Sequence, residues 1–246
     1  MTPADVDNKV LLCEADDLAL NNGDPVSPWP DTSGAGHNLT TAVSAERPIC
    51  RTDVWTGHKV VSFRRGAAPD IGHRLANVFA LAQPTSRILA LIPRGFSLSP
   101  SAMGLADGGA DFTNYLALGS TGRPGQSAGG GNQIAPRQID LNVPTVLTSV
   151  TNGASSIFEQ DGVDISSVAT IGASTPGGVT LGSNFGAGVG NYSEFASMDV
   201  FGVLVCSDVW TRAERLGLLD YFVRKYGLDL GATTAGVRRT ARAHRS

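Results

Sequence analysis

The residues best suited to chemistry lie in one short acidic run, Glu159-Gln160-Asp161-Gly162-Val163-Asp164. A glycoside hydrolase needs two carboxylates about 5–10 Å apart, one as acid and one as nucleophile or base. On an extended strand Glu159 and Asp161 share a face, which suits that task. Asp161-Gly162 is also the strongest hairpin signal in the chain, because both residue types accept the left-handed backbone of a tight turn. The turn reading sets Asp161 at a hairpin tip outside any cleft and makes the run a solvated hairpin. It is the preferred reading. A second oxygen-rich run, Asp107-Gly108-Gly109-Ala110-Asp111 with Asn114, offers the ligand type that calcium takes. It lacks the alternating acids and closing glutamate of an EF-hand loop, so a polar turn is preferred. Calcium is the one ion kept in view, and no other cofactor is expected.

Trp29 with Asp31 and Ser33 offers an aromatic ring and hydrogen-bonding groups to a sugar. The favoured alternative packs Trp29 against the edge of a sheet while Asp31 and Ser33 satisfy turn amides, since buried loop backbone must find partners. Trp55 and Trp210 fit core, edge or interface. The histidines His37, His58, His73 and His244 show no metal-ligand spacing. No nucleophile elbow is expected, and Gly129-Gly130-Gly131 lacks the strand-to-helix setting of a phosphate loop. Cys13, Cys50 and Cys206 are odd in number and far apart, which predicts reduced thiols, two of them in apolar runs.

Strands must position these residues. Val10 to Cys13, Val60 to Phe63, Val78 to Ala82, Arg87 to Ile92, Tyr115 to Leu118 and Met198 to Cys206 are apolar runs of strand length, those at 78–82 and 87–92 read as buried. Pro144 to Val150 alternates as a half-buried strand does, and Gly119 to Gly131 reads as an exposed loop. One helix is predicted at about 211–226. Thr211 and Glu214 fit a capping box, Leu216, Leu219, Phe222, Val223 and Tyr226 recur at helical spacing, and Gly227 is placed to cap the C-terminus. Its apolar face implies docking on a β domain.

With 246 residues and 41% hydrophobic content the chain can bury a core without disulfides, and 30 glycines with 13 prolines suit many strands joined by turns. Arg238, Arg239, Arg242 and Arg245 gather at the end without an acid, leaving 15 basic residues against 22 acids elsewhere. That acidic body argues against nucleic acid, and the tail reads as a docking element. The opening Met1-Thr2-Pro3-Ala4-Asp5 lacks a signal-peptide pattern, and no run approaches the ~20 apolar residues of a membrane helix. The expected organisation is an arm at 1–9, one sandwich domain at 10–230, and a flexible basic tail at 231–246.

Trp29 to Leu39 reads W-x-D-x-S-G-x-G-x-x-L, with Gly34 and Gly36 at its glycine positions, and Arg47-Pro48 and a strand follow. This resembles the signature near the start of concanavalin A-like (laminin-G-like) domains. Phe201 to Leu228 is similar to their final strand, helix start and closing K-Y-G-L, and the hairpin at Ser156 to Asp164 resembles theirs. The resemblance implies an all-β, two-sheet antiparallel jelly-roll sandwich with one C-terminal amphipathic helix. The second glutamate of the family's hydrolases is missing, which argues against an enzyme. The resemblance further implies a bacteriophage virion protein (minor tail, fibre-tip or capsid-surface) assembled in the host cytoplasm. Its expected partners are other virion proteins in a homo-oligomeric or multi-copy assembly, with a host-surface glycan as a further ligand. The alternatives are a free carbohydrate-binding module and a glycoside hydrolase.

Overall fold

A computed structural model describes residues 1–55, 57–65, 72–95, 101–106, 114–119, 122–129, 132–136, 138–166, 171–175, 177–185, 192–193 and 196–230. In chain order the strands are β1 (Lys9–Glu14), β2 (Ile49–Trp55), β3 (His58–Phe63), β4 (Leu75–Val78), β5 (Thr85–Gly95) and β6 (Ser101–Ala106). There follow β7 (Asn114–Gly119), β8 (Pro124–Ala128), β9 (Asn132–Ile134), β10 (Thr145–Thr151) and β11 (Ile157–Gln160). The last are β12 (Val163–Asp164), β13 (Gly178–Leu181), β14 (Asn184–Phe185), β15 (Tyr192–Ser193) and β16 (Ser197–Cys206), before the helix α1 (Arg212–Tyr226).

The larger, 8-stranded sheet runs β12-β11-β10-β5-β16-β3-β2, with β1 also paired to β16. The 6-stranded sheet runs β4-β13-β6-β7-β8-β9. The pairings within both sheets are antiparallel. This is the two-sheet sandwich with a C-terminal helix that the sequence predicts. No helix among the described residues is long and apolar enough to cross a membrane.

The larger sheet is buried on both faces. Leu89, Leu147 and Val203 point to the core shared with Leu75, Leu116 and Leu181 of the second sheet. Ile88, Val146 and Leu204 point the other way, into a cluster with Leu218, Phe222 and Tyr226 of α1. Double burial explains the unbroken apolar runs of β5 and β16. It also makes β10 buried throughout instead of half-buried, because α1 covers the face that would otherwise meet water. In β16 the inward set changes parity, from Met198 and Val200 to Val203 and Val205. A register irregularity against β5 between Val200 and Gly202 accounts for the change. At the same point β16 exchanges β3 for β1 as its neighbour. Gly202 suits the crowding, since a Cβ there would sit 2.9 Å from Phe222.

Two other expectations are corrected. Pro124–Ala128, expected within an exposed loop, is the buried strand β8, whose small residues conceal its strand character from hydrophobic periodicity. Val78 to Ala82, expected to be a buried strand, is the end of β4 and the turn after it: Val78 is 68% exposed and only Leu81 is fully buried. At the amino terminus, Pro3 and Val6 are buried, Val6 within the helix-side cluster.

Thr211 caps α1 by accepting the Glu214 amide at 3.3 Å, while Glu214 accepts the Thr211 amide at 2.6 Å. Gly227, at φ 58°, closes the other end in the left-handed conformation that glycine adopts without strain. The buried stripe takes in Arg215, Leu218 and Leu219, whereas Leu216 is only partly buried. Arg215 Nε lies 3.1 Å from Glu159 of β11, with the two side chains 6% and 1% exposed, and Arg215 Nη1 donates to the Trp210 carbonyl at 2.8 Å. Arg215→Ala leaves Glu159 as an uncompensated buried charge and is expected to cost about 3–5 kcal/mol in urea unfolding. Replacing both residues by leucine is expected to cost much less. Equal losses in the single and double variants would show that the pair itself is not the source.

Candidate functional site

The loop between β1 and β2 carries a dense set of polar contacts. Trp29 is fully buried, and reciprocal backbone hydrogen bonds to Leu39 (2.8 and 3.0 Å) close the loop at its base. Its indole Nε1 donates to the Glu14 carbonyl at 3.2 Å. Inside the loop one carboxylate organises the backbone. Asp31 Oδ1 accepts the amides of Leu12 (2.9 Å) and Ser33 (2.8 Å), and Oδ2 accepts the Ser33 hydroxyl (2.9 Å) and the His37 amide (2.9 Å). Burial raises the Asp31 pKa, but those hydrogen bonds outweigh it and hold the carboxyl below its ordinary range. Gly34 and Gly36 take φ of 93° and 79°, which lets the chain fold back over Asp31.

At the end of this loop two partly buried rings stack. The His37 ring lies on Phe79 with centroids 4.0 Å apart and planes 13° from parallel. Phe79 rests against the inter-sheet core, so the stack has a firm floor. Asn38 is exposed beside it, its side-chain oxygen accepting the Asp31 amide at 2.9 Å, and Asn77 Nδ2 donates to the Asn38 carbonyl at 2.7 Å. An aromatic face with adjacent carboxamides is a combination that can receive the apolar face of a sugar ring and its hydroxyls. Sequence reading missed both rings. In the sequence His37 is a position of the loop motif with no metal-ligand spacing, and Phe79 belongs to an apolar run of strand length, so neither marks a site by itself.

The acidic run does not assemble a hydrolytic pair. Asp161 is in the turn, at φ 54°, and its Oδ1 accepts the Val146 amide at 2.8 Å and the Thr145 hydroxyl at 3.1 Å. Gly162 follows at φ 79°. Glu159, expected in a solvated hairpin, is instead buried under α1 against Arg215. The correction has a simple cause: β11 lies on the face that the helix covers, so its outward residue meets protein rather than water. Gly125-Gln126-Ser127-Ala128-Gly129 does spell G-x-S-x-G, contrary to the expectation of no such elbow. It lies in β8, which pairs with β9 and has Ser127 buried, so the spelling lacks the strand-to-helix turn that gives it meaning.

A third group of ionisable residues joins α1 to β1. Glu14, 6% exposed, accepts hydrogen bonds from Tyr221 (3.0 Å), Lys225 (2.9 Å) and Tyr226 (3.2 Å). Burial works against the Lys225 charge, yet its contacts with Glu14 and Tyr221 hold its pKa above the ordinary lysine value. Burial next to Glu14 pushes the Tyr226 hydroxyl far up. Beside the group, His58 Nδ1 meets Asp16 at 2.8 Å. A depression of about 390 Å³, lined by Met1, Thr2, Tyr221, Arg224 and Lys225, flanks it. These contacts fasten the helix. Trp210 is buried, while Trp55 is partly buried and donates to the Tyr226 carbonyl at 2.7 Å. All three thiols are free and buried, and burial pushes Cys206 up to about 12. The described residues hold no cluster of metal-ligating side chains. The oxygen-rich run at 107–111 and the arginines of the tail, 238–245, lie outside the described residues.

No protein-family model matches the sequence, and no curated protein does. Solved structures do match. Botulinum neurotoxin type C, whose cell entry is described as dependent upon interaction with two ganglioside molecules, superposes with a TM-score of 0.59 at 12% identity, over 87% of this chain and 51% of its own. The fold is a β-sandwich. The binding domain of botulinum neurotoxin DC in complex with SialylT gives 0.55 at 11% identity, over 87% of this chain and 51% of its own. The sialidase of Trypanosoma rangeli in complex with sialic acid also gives 0.55, at 12% identity, over 89% of this chain and 33% of its own. The chain thus spans about half of the two neurotoxin chains and a third of the sialidase. The likeness establishes the sandwich.

Asp31→Asn preserves shape but cannot accept all of the surrounding donors. It is expected to lose about 2 kcal/mol at pH 7, from amides left unpaired. Because the folded Asp31 pKa is depressed, its contribution is complete above the unfolded carboxylate value near ~4. It is lost as pH falls through the lower folded value. The gap between variant and native protein should therefore close in acid. Urea unfolding across pH tests this, and a gap that stays constant down to about pH 2 would contradict it.

Proposed function

We propose that this chain is a non-enzymatic carbohydrate-binding β-sandwich domain that takes its glycan on the His37–Phe79 platform. The observation that carries the reading is the parallel stack itself, held by the Asp31-organised loop and flanked by Asn38 and Asn77. A rigid ring with fixed neighbours loses little entropy when a sugar docks on it. The shared fold supports the reading, since the matched neurotoxins and sialidase are described with gangliosides, SialylT and sialic acid. The burial of Glu159 against Arg215 supports binding over hydrolysis. A glycan array followed by titration tests the proposal. His37→Ala is expected to stay folded and to weaken the best glycan about threefold to tenfold, the worth of one aromatic contact. An array on which the native protein retains no glycan would sink the reading.

The finer proposal, drawn from the sequence resemblance, is a bacteriophage virion component present in many copies, with this domain meeting other virion proteins. Mass spectrometry of purified particles is expected to find the chain as a stoichiometric constituent. Its absence would leave a free carbohydrate-binding module as the surviving reading.

A further inference from the structure

Beyond the region covered by α1, the outer face of the larger sheet carries a different cluster. Asp199 of β16 is fully buried and paired in register with Ser62 of β3 and Ile92 of β5. The Ser62 hydroxyl donates to its Oδ1 at 2.6 Å. Arg64 Nη1 reaches the same oxygen at 2.9 Å, and Arg94 Nε reaches Oδ2 at 2.5 Å. One carboxylate is thus answered by two guanidiniums. A single arginine with Ser62 would balance the buried charge, so among the described residues in contact with Asp199 the second guanidinium leaves a positive excess.

The two arginines are held in place and still open to solvent. Arg64 Nη1 also donates to the Phe63 carbonyl at 2.8 Å, and Arg94 Nη1 donates to Asn142 Oδ1 at 2.9 Å. Their side chains remain 41% and 24% exposed. Neither Nη2 has a partner among the described residues. Asn142, at φ 63°, donates its backbone amide to the Pro93 carbonyl at 2.8 Å, which holds the Arg94 partner in place. The nearby Arg51 is matched by Asp53 at 2.8 Å and adds no net charge. Fixed guanidinium forks with spare N–H groups match the two oxygens of a carboxylate better than a mobile lysine would.

We propose that Arg64 and Arg94, fixed side by side on Asp199, form a carboxylate-binding subsite for an acidic sugar. This rests on the glycan-binding reading and names the class of sugar. The test is a titration of the ¹⁵N-labelled full chain with D-glucuronate, with methyl glucoside and with acetate, following arginine Nε–H and backbone signals. Glucuronate is expected to shift the Arg64 and Arg94 signals, methyl glucoside to leave them still, and acetate to act at least tenfold more weakly than glucuronate. Arg94→Lys keeps the charge but not the fork; it is expected to weaken glucuronate about tenfold at unchanged Tm, the scale of one charge-assisted contact. If that variant unfolds, the native-protein titration still decides. No arginine response to glucuronate overturns the inference, and so does an equal response to acetate, which marks a general anion site. Shifts at His37 and Asn38 with an array-selected neutral glycan would in either case keep the glycan reading alive. Arginine shifts with glucuronate, beside silence of the platform towards every array glycan, would support the subsite and end the platform reading.

Discussion

The buried carboxylate of Glu14 is the tie on which the arrangement depends. Its side chain gathers Tyr221, Lys225 and Tyr226 from the helix, while its main-chain carbonyl receives the Trp29 indole from the surface loop. One residue at the end of β1 therefore fixes both the covering layer and the base of the candidate site. A buried acid is costly unless every oxygen finds a donor, and here a cation and two hydroxyls supply them. The specificity of this arrangement lies in its geometry: a helix shifted by one turn would strand the charge.

The polar groups of this protein follow a common rule. Glu14, Glu159 and Asp199 are all nearly or fully buried on the outer face of the larger sheet, and each meets at least one cation from a neighbouring element. The inter-sheet core is mostly aliphatic, so the charge pairs do not decide whether the sheets stack. They decide what lies on the outside of the sandwich, and where. Glu14 and Glu159 fix the helix, and Asp199 fixes two arginines on ground the helix leaves uncovered.

Much of the fold was legible in the sequence. Long apolar runs marked β5 and β16, Asp161-Gly162 marked the turn, and Thr211 with Glu214 marked the helix start, because each signal is local and has one dominant physical cause. What stayed hidden depended on distant partners. Pro124–Ala128 contains no large apolar residue, so nothing local distinguishes that buried strand from a loop. Glu159 reads as a surface acid until Arg215, more than fifty positions along, is known to lie over it. The platform was half legible: the loop motif around Asp31 was evident, but the ring beneath His37 comes from the segment that follows β4, about forty positions along. Asp199 and its arginines, drawn from β16, β5 and the residue just past β3, left no pattern in the sequence at all.

The exchange of neighbours along β16 carries a consequence for how the molecule comes into being. Its two halves border strands from the early part of the chain, with Cys206 opposite Lys9 and Met198 opposite Phe63. The middle of the larger sheet is thus closed by the last of the described strands to be made. Sequence-distant pairing of this kind makes folding slow and keeps it from being completed piecemeal during synthesis. Until β16 arrives, β1 has no strand beside it and β3 and β5, already paired with β2 and β10, each keep one apolar edge open, so the nascent protein passes through a period in which these edges are unshielded.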